Sequence, residues 1–259
     1  MSDPFVLDTQ GLVKEFKGFV AVDDVNLQVQ KGHIHALIGP NGAGKTTVFN
    51  LLTKFLIPTR GKILFKGKDI TSMKSAAIAR QGVVRSFQIS AVFPHMTALE
   101  NIRVALQSFE GHSFHFWKSG NSLNALNERC MALLDQVGLT EFANTTTVEL
   151  AYGRKRALEL ATTLAMEPEL LLLDEPTQGM GGEDVERVVE LVRKAAQGRT
   201  VLMVEHNLGV VSKLCDRITV LARGAVLTEG DYQEVSNDPQ VREVYMGSTS
   251  TSAKQETSE

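Results

Sequence analysis

The stretch Gly39-Pro40-Asn41-Gly42-Ala43-Gly44-Lys45-Thr46 decides the fold. It satisfies G-x-x-x-x-G-K-[ST], with the flanks that pattern needs: an apolar run over Ile34–Ile38 before it, and helical periodicity after it from Lys45 to residue 56, ahead of Pro58 and Gly61. Glycines let the backbone curl so that successive N–H groups point inward at phosphate oxygens, and a helix opening at Thr47 adds its positive dipole end. Lys45 then neutralises β- and γ-phosphate charge, and the Thr46 hydroxyl takes one position on Mg²⁺.

A second constellation lies downstream. Leu170-Leu171-Leu172-Leu173-Asp174-Glu175 reads as a strand buried on both faces and ending in two carboxylates; the apolar run at 201–204 reads as a second such strand, ending in one, Glu205. Catalytic groups in parallel sheets sit at such carboxyl ends. Neighbouring strand residues point in opposite directions, so Asp174 and Glu175 are not a shared-proton dyad. Asp174 is expected to face Mg²⁺ through water, and Glu175 to polarise the attacking water as general base.

Around these motifs, 259 residues of 43% hydrophobic composition suffice for a substantial core. A formal charge of −3 gives no general reason to bind nucleic acid or an anionic bilayer. Cys130 and Cys215 are far apart, which argues against a disulfide framework or structural zinc and for reduced core thiols. No apolar stretch reaches the ~18 residues of a spanning helix, and residues 1–10 lack a signal-peptide pattern, so membrane association is expected through a protein partner. Apolar runs at 5–7, 25–29, 34–38 and 62–65 read as largely antiparallel strands. Residues 96–165 read as a helical subdomain, and residues 247–259, rich in Ser, Thr, Glu and Lys, as a disordered tail.

Five motifs stand in one order: the phosphate loop, Gln88 in Arg85-Ser86-Phe87-Gln88, Leu150-Ala151-Tyr152-Gly153-Arg154, Asp174-Glu175-Pro176-Thr177, and His206 in Val204-Glu205-His206. This order resembles the ABC ATPases, over residues 5–246. The resemblance implies an α/β P-loop NTPase core of ABC-ATPase type with an antiparallel β subdomain and the inserted helical subdomain, binding ATP with Mg²⁺. Gly39, Pro40, Asn41, Gly42, Ala43, Gly44, Lys45, Thr46 and Thr47 would hold the nucleotide in cis. Leu150, Ala151, Tyr152, Gly153 and Arg154 would close in trans over nucleotide on a second ATPase subunit. It also implies that Gln88 approaches Mg²⁺ and the attacking water while its loop touches a membrane subunit, that His206 contacts the γ-phosphate, and that Phe16 stacks on adenine, with Phe19 its competitor.

Gly82-Val83-Val84-Arg85-Ser86-Phe87-Gln88, residues 92–102 and residues 237–247 look like the branched-chain amino-acid importer ATPases, a pattern largely shared by urea/amide importer and lipopolysaccharide-export ATPases. The partners so implied are two permeases and, indirectly, a periplasmic solute-binding protein, at the cytoplasmic face of the membrane. Phe114-His115-Phe116-Trp117 is a candidate permease contact. The signature departs from Leu-Ser-Gly-Gly-Gln at Ala151, Tyr152 and Arg154, and Gly181 stands where the usual D-loop ends in Asp; these losses favour a heterodimer over a homodimer. A soluble ABC protein of translation or repair would need fused units or coiled-coil insertions. Intact Glu175 and His206 argue against a module that holds ATP without hydrolysis, and a small-molecule kinase has no use for the signature.

Overall fold

The computed structural model describes residues 4–86, 92–109 and 120–252. Gln88 and Phe114-His115-Phe116-Trp117 lie outside the described residues.

Alternation and turn chemistry build the N-terminal sheet. β1 (Phe5–Phe16) turns through Lys17 and Gly18, both at positive φ, into β2 (Phe19–Val25). β3 (Gln28–Gln30) also pairs antiparallel with β1. Next come β4 (Ile34–Ile38) and helix α1 (Lys45–Leu52), then β5 (Arg60–Phe65), antiparallel to β1, and β6 (Lys68–Asp69) on its outer side. The small sheet thus runs β2-β1-β5-β6, with β3 beside β1. β4 is not part of it. It lies between two strands from the far end of the chain and is parallel to both, which corrects its expected place among antiparallel strands. All five of its residues are buried, so alternation along so short a run does not reveal strand direction.

The remaining elements complete a second sheet and its cover. They are α2 (Ser75–Arg80), β7 (Val83–Ser86), α3 (Ala98–Phe109), α4 (Gly120–Gln136), α5 (Tyr152–Leu164), β8 (Leu170–Asp174), α6 (Gly182–Ala195), β9 (Thr200–Val204), α7 (Leu208–Leu214), β10 (Arg217–Ala222), β11 (Ala225–Gly230), α8 (Tyr232–Asn237) and α9 (Pro239–Ser252). Strand order is β11-β10-β4-β9-β8-β7, parallel throughout except for the β10–β11 hairpin. The two faces of this sheet feed different cores. Leu171, Leu173, Val201 and Met203 join α5, α6 and α7, whereas Leu170, Leu172, Leu202 and Val204 join α1 and the small sheet. Each fully buried Leu contributes about 1.5–3 kcal/mol. His35 sits in this interior with Nε2 2.8 Å from Thr219 Oγ1, and burial pulls its pKa down to about 4.

Between β7 and β8 the chain forms α3, α4 and α5 with short 3-10 turns at Thr140–Phe142 and Thr147–Glu149. Buried Asn101 fastens this part together, receiving Phe93 N–H at 2.6 Å and donating to Thr147 Oγ1 at 3.0 Å, just ahead of the signature. At the C-terminus, α9 continues past Gly247 to Ser252, beyond the expected start of a disordered tail; residues 253–259 lie outside the described residues. Asp238 Oδ1 caps the first turn at Gln240 N (2.8 Å), Pro239 pre-sets its φ, and Val241 and Tyr245 pack on the core; once nucleated, helix propagates at little cost through Ser and Thr.

Helix α1 ends at Leu52, short of the expected residue 56. Thr53 Oγ1 turns back to Phe49 O at 2.8 Å, and Lys54 takes the left-handed conformation at φ 62°, the C′ position where glycine is usual. Lys54 Nζ is buried without a hydrogen-bond partner among the described residues, and burial lowers its pKa to about 8, against a smaller upward pull from Asp69. Lys54→Gly is therefore expected to stabilise the protein by about 1 kcal/mol from backbone strain alone. The unfolded chain binds more protons here than the native chain between pH 8 and 10.5, so wild-type stability at this site rises across that window. Thermal melts of the two proteins should show the variant's advantage at pH 8 shrinking towards pH 10.5. A variant no more stable than wild type at pH 8 would refute this account of Lys54.

Candidate nucleotide site

The phosphate loop leaves the carboxyl end of β4 and enters α1. Two glycines are sterically required. Gly39 has φ 150°, and a Cβ there would lie 2.2 Å from Leu221 O; Gly44, at φ 102°, would bring one to 2.7 Å from Ala21 O. Lys45 is buried, and its Nζ donates to the loop carbonyls Gly39 O (2.7 Å) and Pro40 O (2.9 Å). Burial lowers its pKa, offset in part by the charges of Glu175 and Asp174. The ammonium is thus already inside the loop that is to hold phosphate. Asn41, Gly42 and Thr46 are exposed at the mouth, and the first-turn N–H groups of Lys45, Thr46 and Thr47 have no intrahelical acceptor. From α9, Tyr245 reaches the loop at Gly39, whose backbone offsets part of the burial that pushes the phenol up to about 12.

Beside the loop, the two acidic side chains take different partners. Asp174 ends β8 with its side chain only 2% exposed and ion-pairs with Arg85 of β7. Arg85 also donates to Asn50 Oδ1 of α1 at 2.7 Å. Glu175 leaves the strand in the left-handed region, φ 48°, and its Oε1 is 2.7 Å from His206 Nε2. With the proton on Nε2, the imidazole donates to the carboxylate and fixes its direction. His206, expected at the γ-phosphate, contacts Glu175 in this structure and remains 42% exposed.

Glu205, given no role on sequence grounds, organises the loop behind both. Its buried carboxylate accepts Thr177 N (3.0 Å) and Thr177 Oγ1, then His206 N (2.9 Å) and Asn207 N (3.1 Å). Glu205 thereby ties the segment after Glu175 to the segment carrying His206. Its position directly before His206 was the one available signal.

The surface expected to act in trans is exposed. Ala151, Tyr152 and Arg154 stand at the N-terminus of α5, while Leu150 is buried as an anchor. Ala151 is the N-cap and has no oxygen to cap with. Arg154 stacks over Phe142 at 3.9 Å, and Tyr152 bonds with Arg156 (3.0 Å), which pairs with buried Glu159 (2.9 Å). Gly181, N-cap of α6, likewise offers no side chain. Phe16, 41% exposed at the end of β1, is available to a planar base; Lys14 Nζ lies 5.0 Å from its ring centre. Phe19, directly opposite in register, is 69% exposed.

Oxygen donors suit Mg²⁺, and this site offers two: the hydroxyl of exposed Thr46, next to Lys45 in the chain, and the Asp174 carboxylate, whose charge acts on Lys45. Two protein oxygens fall short of octahedral coordination, which leaves the other positions to phosphate and water, the usual way this ion is bound in nucleotide sites.

Comparison with known proteins agrees with this geometry. The family model described as ABC transporter matches residues 22–178, and that described as branched-chain amino acid ATP-binding cassette transporter matches residues 225–250. The high-affinity branched-chain amino acid transport ATP-binding protein BraF of Pseudomonas aeruginosa is 39% identical over 254 residues, covering 95% of this chain and 99% of BraF. LivG of Escherichia coli K12 matches to the same extent. Among solved structures, the ADP conformation of MJ1267, an ATP-binding cassette of an ABC transporter, has a TM-score of 0.82 at 28% identity, covering 94% of this chain and 99% of that one. The phosphate loop, the acidic strand end and near full-length similarity converge, and this chain belongs to the ABC transporter ATP-binding family.

Proposed function

We propose that this ABC ATPase powers a branched-chain amino-acid importer from the cytoplasmic face of the membrane, through two permease subunits fed by a periplasmic binding protein. The observation that carries the solute class is that relatives named for branched-chain amino-acid transport align along 95% of the chain, with residues 225–250 matching a family model of the same description. No described helix is long and apolar enough to cross a membrane, so the pathway belongs to partner subunits. Deleting the gene is expected to abolish high-affinity uptake of labelled leucine, isoleucine and valine. Intact leucine uptake with lost urea or amide uptake would move the assignment to those importers.

In hydrolysis, the loop N–H groups and Lys45 hold the β- and γ-phosphates, and Phe16 receives the adenine. Thr46 and Asp174 would hold Mg²⁺, which would supply charge neutralisation to the phosphates, and Gln88 is the further residue assigned to it. Water attacks the γ-phosphorus and the bond to the β-phosphate oxygen breaks. Glu175 takes the water proton, and His206, bonded to Glu175, keeps that carboxylate aimed. Glu175→Gln retains shape but not basicity. Turnover is expected to fall by about 10²–10⁴-fold with ATP affinity within a few-fold of wild type, by phosphate release and calorimetry on the assembled transporter. Near-normal turnover would remove Glu175 from the role.

The ATP-bound unit is a head-to-tail pair in which the α5 N-terminus of one subunit meets nucleotide on the other. This chain brings a complete cis half and a reduced trans half, because Ala151 and Gly181 lack the polar groups that would act on the opposite nucleotide. Loss of one charge-assisted bond costs ~1.5–3 kcal/mol. A heterodimer confines that deficit to one site. Inactivating the general-base Glu of each subunit in turn should slow transport unequally; equal effects, or a homodimer by mass spectrometry, would end the asymmetric scheme. Ala151→Ser is expected to add about 1 kcal/mol of stability without nucleotide, by capping α5, and to tighten ATP in the closed pair. A stability gain with unchanged closed-pair affinity would show that position 151 does not touch the partner's nucleotide.

A further inference from the structure

We propose that Arg85 is a positioning residue for the metal site, a buried fork that holds the Asp174 carboxylate in the orientation that serves Mg²⁺ and fastens it to the phosphate-loop helix. This rests on the assignment of Mg²⁺ to Asp174 and Thr46.

Register sets the contact. Arg85 pairs with Leu172 across the parallel β7–β8 ladder, and Leu172 and Asp174 share a face by the two-residue period of a strand. That face is covered by α1, whose Phe49 packs with Leu170 and Leu172. The guanidinium therefore emerges between the acidic strand end and α1, 5.7 Å from the centre of the Phe49 ring. Nη2 donates to Asp174 Oδ2 and Nη1 to Asn50 Oδ1 at 2.7 Å. The two charged side chains are 9% and 2% exposed.

Three consequences follow from that geometry. First, a carboxylate this deeply buried is costly without a counter-charge, and Lys45 is turned towards the carbonyls of Gly39 and Pro40, so among the described residues Arg85 is the cation bonded directly to Asp174. Second, a bond to Oδ2 fixes the carboxylate plane and so gives Oδ1 a set direction; without it the side chain is free to rotate before a metal ion arrives. Third, the planar fork bridges α1 and β8 in a way one ammonium does not, so Lys in its place keeps the charge and loses the bridge. Arg85 is also three residues before Gln88 in the sequence. A shift of β7 is carried to Asp174 and α1 by two short polar bonds.

The test is the Mg²⁺-dependent gain in nucleotide affinity: calorimetry of ATP binding to the full chain with and without Mg²⁺, for wild type, Arg85→Met, Arg85→Lys and Asn50→Ala. Losing the outer partner of a metal ligand typically costs 10–100-fold in metal affinity. Arg85→Met is expected to lower the Mg²⁺ gain about tenfold, and Arg85→Lys and Asn50→Ala about threefold, at Mg²⁺-free affinity within twofold of wild type. A general loss of structure would weaken both affinities together. If wild type itself shows no Mg²⁺ gain, the metal assignment fails and this proposal falls with it. If wild type shows the gain and the variants keep it, or Arg85→Met enlarges it, Arg85 does not position Asp174, while the metal assignment stands. Should Arg85→Met not fold, Asn50→Ala and Arg85→Lys decide, since an undiminished gain in both overturns the proposal.

Discussion

The parallel ladder β10-β4-β9-β8-β7 is the constraint on which the site depends. Its parallel strands all point one way, so their carboxyl ends share one rim, and the chain places its chemistry there: Gly39 after β4, Asp174 at the end of β8, His206 just past β9. Neither face is available to water. One is sealed by α1 and the small sheet, the other by α5, α6 and α7. Burial on both sides forces the strands to be short apolar runs, and it pushes the buried polar groups of the rim into pairs. Asp174 takes a guanidinium, and Glu205 collects four donors.

Local chemistry was legible in the sequence, and long-range chemistry was not. The phosphate loop and the Asp174-Glu175 strand end announce themselves because eight and six consecutive residues carry the whole pattern. Arg85, Asn50 and Glu205 do not, because their roles come from partners on other elements: 89 residues separate Arg85 from Asp174 and 28 separate Thr177 from Glu205. Strand direction at Ile34–Ile38 was hidden for a related reason, since only the neighbours β9 and β10 define it. Helix ends depended on caps that propensity does not encode, Thr53 and Lys54 shortening α1 and Asp238 sustaining α9.

The two halves of the site differ in kind. The cis half is bonded inward, with Lys45 on its own loop and Glu175 on His206. The proposed trans counterpart is a surface, the α5 N-terminus, whose first-turn N–H groups lack a side-chain cap and whose Arg154 is stacked on Phe142. A helix start with open N–H groups invites an anion whatever its side chains. In the proposed trans role, where the family's usual residues are Ser and Gln, the backbone would keep part of the attraction that Ala151 and Arg154 give up.

The place of β4 in its sheet also governs how the molecule comes into being. Its five apolar-rich residues are made early, but both their hydrogen-bonding neighbours, β9 and β10, lie more than 160 residues later, as the Ile34↔Val201 and His35↔Arg217 pairs show. During synthesis the strand that launches the phosphate loop waits, unpaired on both edges, until most of the chain has left the ribosome. Non-local parallel pairing is slow, and an open apolar strand is an aggregation hazard meanwhile. The nascent protein thus has reason to engage holding chaperones, and its capacity to bind nucleotide arrives as one of the last events of folding.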